Sequence, residues 1–464
     1  MYTDGKSTNL HIEEVFSRGV GEFIDPGNTF KEKLQKKVQG VYTKDIIIKF
    51  GVDPTSPDIH IGHAVILRKL RMLQDLGCKV VFLVGDFTAN IGDPTGKNKM
   101  RPEIQQKEIE ANMKTYLDQV GKILHTDQVL FSWIRNSDWF YGITDLNPKE
   151  SLAVRIGTTI VNPKSFVGKA KLYEDTRMQK THLKKEATIG ITLSTLMWTL
   201  KHITYNRLIQ RDMFQERIKK GHELYMHEML YPILQGMDSS VIYQIYGACD
   251  LEIGGTDQTF NMLIGRDIMK ATKQTPQAVL ACDLLEGIDG REKMSKSLNN
   301  YISIIDTPND MYGKVMSISD DKIESYFSLS TYTPVDKIKK FLSDMQYNKV
   351  NPRDVKMKLA YQITALYHGE ANAKSAEEVF TKTFQKKEIP DGIQEEAVDI
   401  GVTLGNALVS LNMVSSKKEF QRLINEGAIK IDGNKILDIY QKVETEVVVK
   451  IGKKKFVKLS PHKK

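Results

Sequence analysis

Apolar residues change their spacing along this chain, and the changes mark its elements. Residues 44–50 are β-branched and apolar, which predicts a buried strand. Pro54, Pro57 and Asp58 break it. From Ile61 the apolar positions fall at Ala64, Val65, Leu67, Leu70, Leu73 and Leu76, a helical rhythm that stops at Gly77. Residues 79–85 form a second apolar run. This strand–loop–helix–strand order predicts a parallel α/β sheet with a right-handed crossover. A further strand is expected over 250–253, ahead of Gly254 and Gly255, and residues 154–161 read as another. Beyond Thr307 the rhythm is helical, with helices predicted over 322–327, 335–345 and 351–368 between prolines. The tail reads as helices over 400–411 and 415–424, a strand and tight turn over 427–433, and a hairpin of 446–451 with 454–459. The expected divisions are 1–43, 44–306 with a connecting insertion near 147–200, 307–387, and 393–464. The first of these is expected to be a helix packed on the sheet domain or on a second subunit.

Chemistry enters at two points in this pattern. His60 and His63 fall where a strand's carboxyl end meets a helix amino end, with Gly62 between them. Free N–H groups and the helix dipole favour an anion there. A pair of histidines can equally cap the helix and face water. Lys293 and Lys296 flank Met294 and Ser295 after the turn-rich residues 286–290, with Ser297 following. Two lysines with interleaved hydroxyls can hold a polyphosphate as point charges, or can simply decorate a solvated loop. A third set, Tyr231, Gln235 and Asp238, shares one helix face, with Pro232 beside it. Such a face suits a small polar substrate or meets solvent.

These residues resemble class I aminoacyl-tRNA synthetases. His60-Ile-Gly-His63 and Lys293-Met-Ser-Lys-Ser297 match the two signatures of that class. Residues 91–97, Asn136-Ser-Asp-Trp139, 227–235 with Asp238, and Gly254-Gly-Thr-Asp-Gln258 resemble the bacterial tyrosyl branch. The resemblance implies a Rossmann-like catalytic domain, a helical anticodon-proximal domain and a small α+β RNA-binding domain. It implies ATP and tyrosine as substrates, Mg2+ carried with the phosphates, tRNA(Tyr) as acceptor, and a homodimer. His60, His63, Lys293 and Lys296 would then be catalytic. Gly51, Asp53, Gly62, Gly255, Asp257, Ser295 and Ser297 would line ATP. Asp238 would meet the tyrosine hydroxyl. Tyr231, Gln235 and Asp93 would hold the ammonium, Asn136 would brace them, and Gln258 would steer the carboxylate. One position departs from the pattern. Many members carry a tyrosine where this chain has Lys49, which is expected either to point at the phenol oxygen or to pair with Asp238.

Composition adds bounds. The chain has 464 residues and a net charge of +8, which suits a polyanionic partner without requiring one. Cys78, Cys249 and Cys282 lie too far apart for a zinc knuckle and fit a reducing cytoplasm. His222-Glu223 with His227 has the wrong spacing for a zinc protease, so no metal ligands are assigned. Residues 92–97 have the wrong spacing for a Walker loop. No apolar signal core or membrane-length apolar run is seen. The tail resembles the RNA-binding domain of a ribosomal small-subunit protein, with Lys417, Lys418, Arg422, Lys430, Lys453, Lys454 and Lys455 as one basic face for RNA phosphates. The lysine-rich stretch 169–185 either touches the tRNA acceptor arm or is a charged decoration.

Overall fold

The computed structural model describes residues 12–94, 106–140, 154–156, 159–161, 191–384, 395–436, 438–452 and 455–462. The lysine-rich stretch 169–185, together with Lys453 and Lys454, lies outside them. The chain forms two compact units, Met1–Ala376 and Glu377–Lys464.

The first unit is built on a six-stranded sheet. Its strands are β1 (Val20–Ile24), β2 (Ile47–Val52), β3 (Lys79–Val84), β4 (Phe131–Arg135), β5 (Leu251–Gly255) and β6 (Ala278–Cys282), in the order β1-β6-β5-β2-β3-β4. The five strands from β2 to β6 run parallel, and β1 joins the edge antiparallel to β6. Helix α1 (Ile61–Asp75) links β2 to β3, as the apolar rhythm predicts. Two further helices, α2 (Met226–Tyr246) and α3 (Thr259–Ala271), pack together. They meet closely at two glycines, because a Cβ on Gly236 would lie 3.0 Å from backbone atoms of Gly265. Ile47, Val81, Leu83, Ile134, Trp139, Val241 and Met269 share one core between sheet and helices.

The strand order reverses beside β2, which neighbours β3 on one side and β5 on the other. In open α/β sheets a ligand crevice forms at such a point, outside the strands' carboxyl ends. Here the β2–β5 pairing is short. It joins Ile48 to Leu251 and Lys49 to Glu252, and the ladder ends there. The carboxyl ends of β2, β3, β4 and β5 run into Asp53, Gly85–Thr88, Asn136 and Thr256–Gln258.

Several sequence expectations are corrected. Residues 12–38 are not a single helix. A helical stretch at 12–17 leads into β1, and a second helix spans Thr29–Val38. Residues 154–161 are not one strand. Val154–Ile156 pairs antiparallel with Thr159–Val161. The helix expected over 400–411 is Leu404–Ser410, because Gly401 turns the chain at φ 78° after a strand.

The second unit holds strands β7 (Glu395–Asp399), β8 (Ile429–Ile431), β9 (Asn434–Lys435), β10 (Val447–Ile451) and β11 (Lys455–His462). Their order is β9-β8-β10-β11-β7, antiparallel except for the β11–β7 pair. Helices α4 (Leu404–Ser410) and α5 (Lys417–Asn425) cover one face. Leu404, Leu408, Phe420 and Ile424 pack there against Ile429, Val449, Val457 and Leu459.

Candidate active site

The histidine turn is fixed from both sides. His60 is the N-cap of α1, and its backbone N–H donates to His63 Nδ1 at 3.3 Å. The two rings stack at 3.8 Å. An accepting Nδ1 leaves the His63 proton on Nε2, free to donate. Burial, with Lys293 and Lys296 nearby, depresses His63 to about 3 and lowers His60 as well. Both are therefore neutral imidazoles near pH 7. Gly62 is required here, because a Cβ would approach His60 Nδ1 to 2.9 Å. From far along the chain, Ile61 N–H donates to Ile302 O at 3.0 Å, Ile304 N–H donates to Ile59 O at 3.0 Å, and Ser303 bridges to His60.

That same late segment follows the lysine loop. Met294 is buried and donates its N–H to Leu285 O at 2.9 Å, while Ser295 N–H donates to Asn300 Oδ1 at 2.8 Å. The anchored backbone sends Lys296 to the histidine turn, where Nζ meets Ser56 Oγ at 2.7 Å and the Asp58 carbonyl. Desolvation there lowers its pKa to about 8. Lys293 Nζ lies 2.7 Å from Asp257 Oδ2. Both expected phosphate lysines are held by protein oxygens. The side chain of Ser297 lies outside the described residues.

A hydrogen-bonded chain crosses the crevice floor. Tyr231 OH donates to Asp53 Oδ2 at 2.8 Å, and Thr88 Oγ donates to Asp53 Oδ1 at 2.8 Å. Asn136 Nδ2 donates to Thr88 Oγ at 3.0 Å and reaches Asp238 Oδ2 at 3.4 Å. Trp139 Nε1 donates to Asp238 Oδ1 at 2.9 Å. Beside this chain, Gln258 Nε2 donates to Asp93 Oδ2 at 2.7 Å, and Asn261 Nδ2 bridges Gln258 Oε1 and Gln235 Oε1 at 3.0 and 2.9 Å. Tyr231, Asp53, Asn136 and Asp238 thus belong to one hydrogen-bonded set, and Asp93, Gln258 and Gln235 to a second beside it. Gly255 packs against Asp257, and Gly51 lies open at the end of β2.

Lys49 meets a different partner. The expected pair with Asp238 is corrected, because Nζ is buried and lies 2.9 Å from Glu252 Oε1. Sequence reasoning also gave no role to Thr88, Trp139, Ser239, Glu252, Asn261 and Gln277. Gly85 is a further omission. A Cβ there would fall on the Asp53 carboxylate and the Thr88 hydroxyl, and its place at the end of an apolar strand was the available signal.

Burial pushes the Asp238 carboxyl up to about 7, against the opposing effects of Lys49, Trp139 and Asn136. A folded value above the ordinary 3.8 means the folded chain binds this proton more readily than the unfolded chain. The group therefore costs stability progressively as pH rises from about 4 to about 7. Asp238→Asn removes that cost. Its melting temperature relative to the parent rises between pH 5 and pH 8, whatever constant offset the amide introduces. Parallel melting curves across that range would contradict the assignment.

Residues 42–153 and 173–385 match the family described as tRNA synthetases class I (W and Y), and 404–449 match the S4 domain. The chain is a class I tRNA synthetase of that family. The synthetase is 38% identical over 449 residues to the tyrosine–tRNA ligase of Francisella tularensis, covering 96% of this chain and 97% of the relative. It is 40% identical over 415 residues to the tyrosine–tRNA ligase of Thermotoga maritima, covering 89% and 90%. Its fold matches a C-terminally truncated mitochondrial tyrosyl-tRNA synthetase of Aspergillus nidulans with a TM-score of 0.55 at 20% identity, over 81% of this chain and 94% of that one.

The S4 unit of the synthetase divides the basic residues expected on one face. Lys417, Lys418 and Arg422 lie on α5, on the helix-covered side of the sheet, and Lys455 reaches Met413 O at 3.4 Å there. Arg422 is paired with Glu426 at 2.8 Å. Lys430 alternates with the core residue Ile429 and so points to the opposite face. It stands in register between Lys435 and Lys450.

Proposed function

We propose that this synthetase activates tyrosine with ATP and transfers it to the terminal ribose of tRNA(Tyr). The observation that carries the reading is the chain from Asp53 through Thr88 and Asn136 to Asp238. It joins the end of the crevice nearest the histidine turn to a buried acceptor suited to a phenol. In the first step the tyrosine carboxylate attacks the α-phosphate, and pyrophosphate leaves. No protein nucleophile is needed. Positioning and stabilisation of charge on the departing oxygens do the work. His63 Nε2–H, with His60, would donate to those oxygens, and Lys293 and Lys296 would trade their present partners for phosphate. Mg2+ would be shared among the phosphates rather than caged by protein. Freed from Lys293, Asp257 would accept from the ribose.

The S4 unit would bind tRNA phosphates through its lysines. The reading includes a cytoplasmic homodimer, as the resemblance implies. Exposed Leu193, Met197 and Trp198 on the helix Leu193–Leu200 offer an apolar surface for a second copy. Among the described residues, no helix is long and apolar enough to cross a membrane.

Pyrophosphate exchange run separately with each standard amino acid tests the proposal. Exchange with tyrosine alone is expected. Exchange with tryptophan instead overturns the substrate, and exchange with none overturns the reaction.

A further inference from the structure

The buried charge at the root of the crevice has work to do that substrate contact does not explain. Lys49 and Glu252 are 0% and 2% exposed and face each other where the β2–β5 ladder ends. Lys49 Nζ also donates to Gln235 O and Ser239 Oγ, both at 2.8 Å. These two groups are one turn apart on α2, the helix that carries Tyr231, Gln235 and Asp238. Glu252 collects the other ends. Its Oε1 accepts from Gln235 Nε2 at 3.2 Å, and its Oε2 accepts from Ser239 Oγ and Gln277 Nε2, each at 2.9 Å.

We infer that Lys49 and Glu252 are positioning residues that hold α2 against the fork of the sheet and aim the Gln235 amide at the substrate ammonium. The inference rests on the reading that Gln235 meets that ammonium. A buried ion pair is poor evidence of stability by itself, since an apolar pair often serves as well. What the pair supplies here is direction. One side chain clamps the helix backbone, and the other holds the functional amide that the same backbone carries. With Glu252 bonded to its Nε2 and Asn261 to its Oε1, the Gln235 amide has one orientation. The remaining Nε2 proton is the only amide donor left for the crevice, and Oε1 keeps one lone pair for an ammonium.

Steady-state pyrophosphate exchange with tyrosine tests this, with KM for ATP as the internal control. The variants are Lys49→Met/Glu252→Gln, Gln235→Ala and the triple combination. The double variant removes both charges together, so neither is left buried alone, and the amide keeps one acceptor oxygen for three donors. It is expected to raise KM for tyrosine about tenfold, the value of one such bond, with KM for ATP within about twofold. In the Gln235→Ala background the same two changes should raise KM for tyrosine by a much smaller factor, because only the hold on the helix backbone is left to lose. Ser239→Ala deletes one hydroxyl and keeps both charges. With the ion pair intact, it should raise KM for tyrosine in the same direction by a smaller factor. Parallel changes in both KM values, additivity with Gln235→Ala, or an unmoved KM for tyrosine in the double and Ser239 variants would each overturn the inference. A silent Gln235→Ala overturns the ammonium assignment itself, and the route through Gln235 with it.

Discussion

Lys296→Ala is expected to cut the rate of adenylate formation by about 10²–10³ while leaving KM for tyrosine near its parent value. The argument begins with where Nζ sits. It reaches from an anchored loop to Ser56 Oγ and the Asp58 carbonyl, at the mouth of the histidine turn. Those oxygens mark the place that departing phosphates would fill. An interaction made with developing charge in the transition state, and not with tyrosine, lowers kcat without touching the amino-acid KM. The neutral histidines cannot replace it, because His63 titrates near 3 and His60 is also lowered. Single-turnover measurement of adenylate separates chemistry from product release. An unchanged rate would remove Lys296 from the mechanism.

Asp238→Ala should collapse the preference for tyrosine over phenylalanine. At pH 8, where Asp238 is mostly ionised, a hydrogen bond to a charged group contributes about 1.5–3 kcal/mol, so losing the acceptor lowers kcat/KM for tyrosine by about 10–100-fold. The phenylalanine value should hold or rise, since the buried carboxylate lone pair that its ring leaves without a donor is gone. The selectivity ratio therefore falls by at least the same factor. Asn136 keeps its bond to Thr88 Oγ, and Trp139 stays packed in the core between sheet and helices. An unchanged ratio in exchange assays would show that the hydroxyl is read elsewhere.

Legibility in the sequence followed the reach of each interaction. β2, β3 and α1 were readable because each carries its burial pattern in consecutive residues. β1 was not, because Gly21 and Glu22 interrupt it and its strand character comes from pairing with β6. β7 has one buried residue, Val398, and is a strand only because β11 lies beside it. The motif residues of the crevice floor fall into two hydrogen-bonded sets, one running from Tyr231 to Asp238 and one from Asp93 to Gln235. Lys49 was misjudged because its partner, Glu252, is set by strand register between distant segments. The split basic face was readable in principle. Period-two alternation at Ile429-Lys430-Ile431 already sends Lys430 away from the helices, and the motif resemblance masked it.

The backbone bonds that pin the histidine turn also set an order of events at the ribosome. A chain emerges N-terminus first, so His60 and His63 are exposed to solvent long before Ile302, Ser303 and Ile304 are synthesised. Until those residues dock, the turn lacks the carbonyl of Ile302 and the bridge from Ser303. Contacts this distant in sequence also form slowly. A nascent chain halted before residue 302 would thus contain all six strands of the main sheet and still be unable to make adenylate.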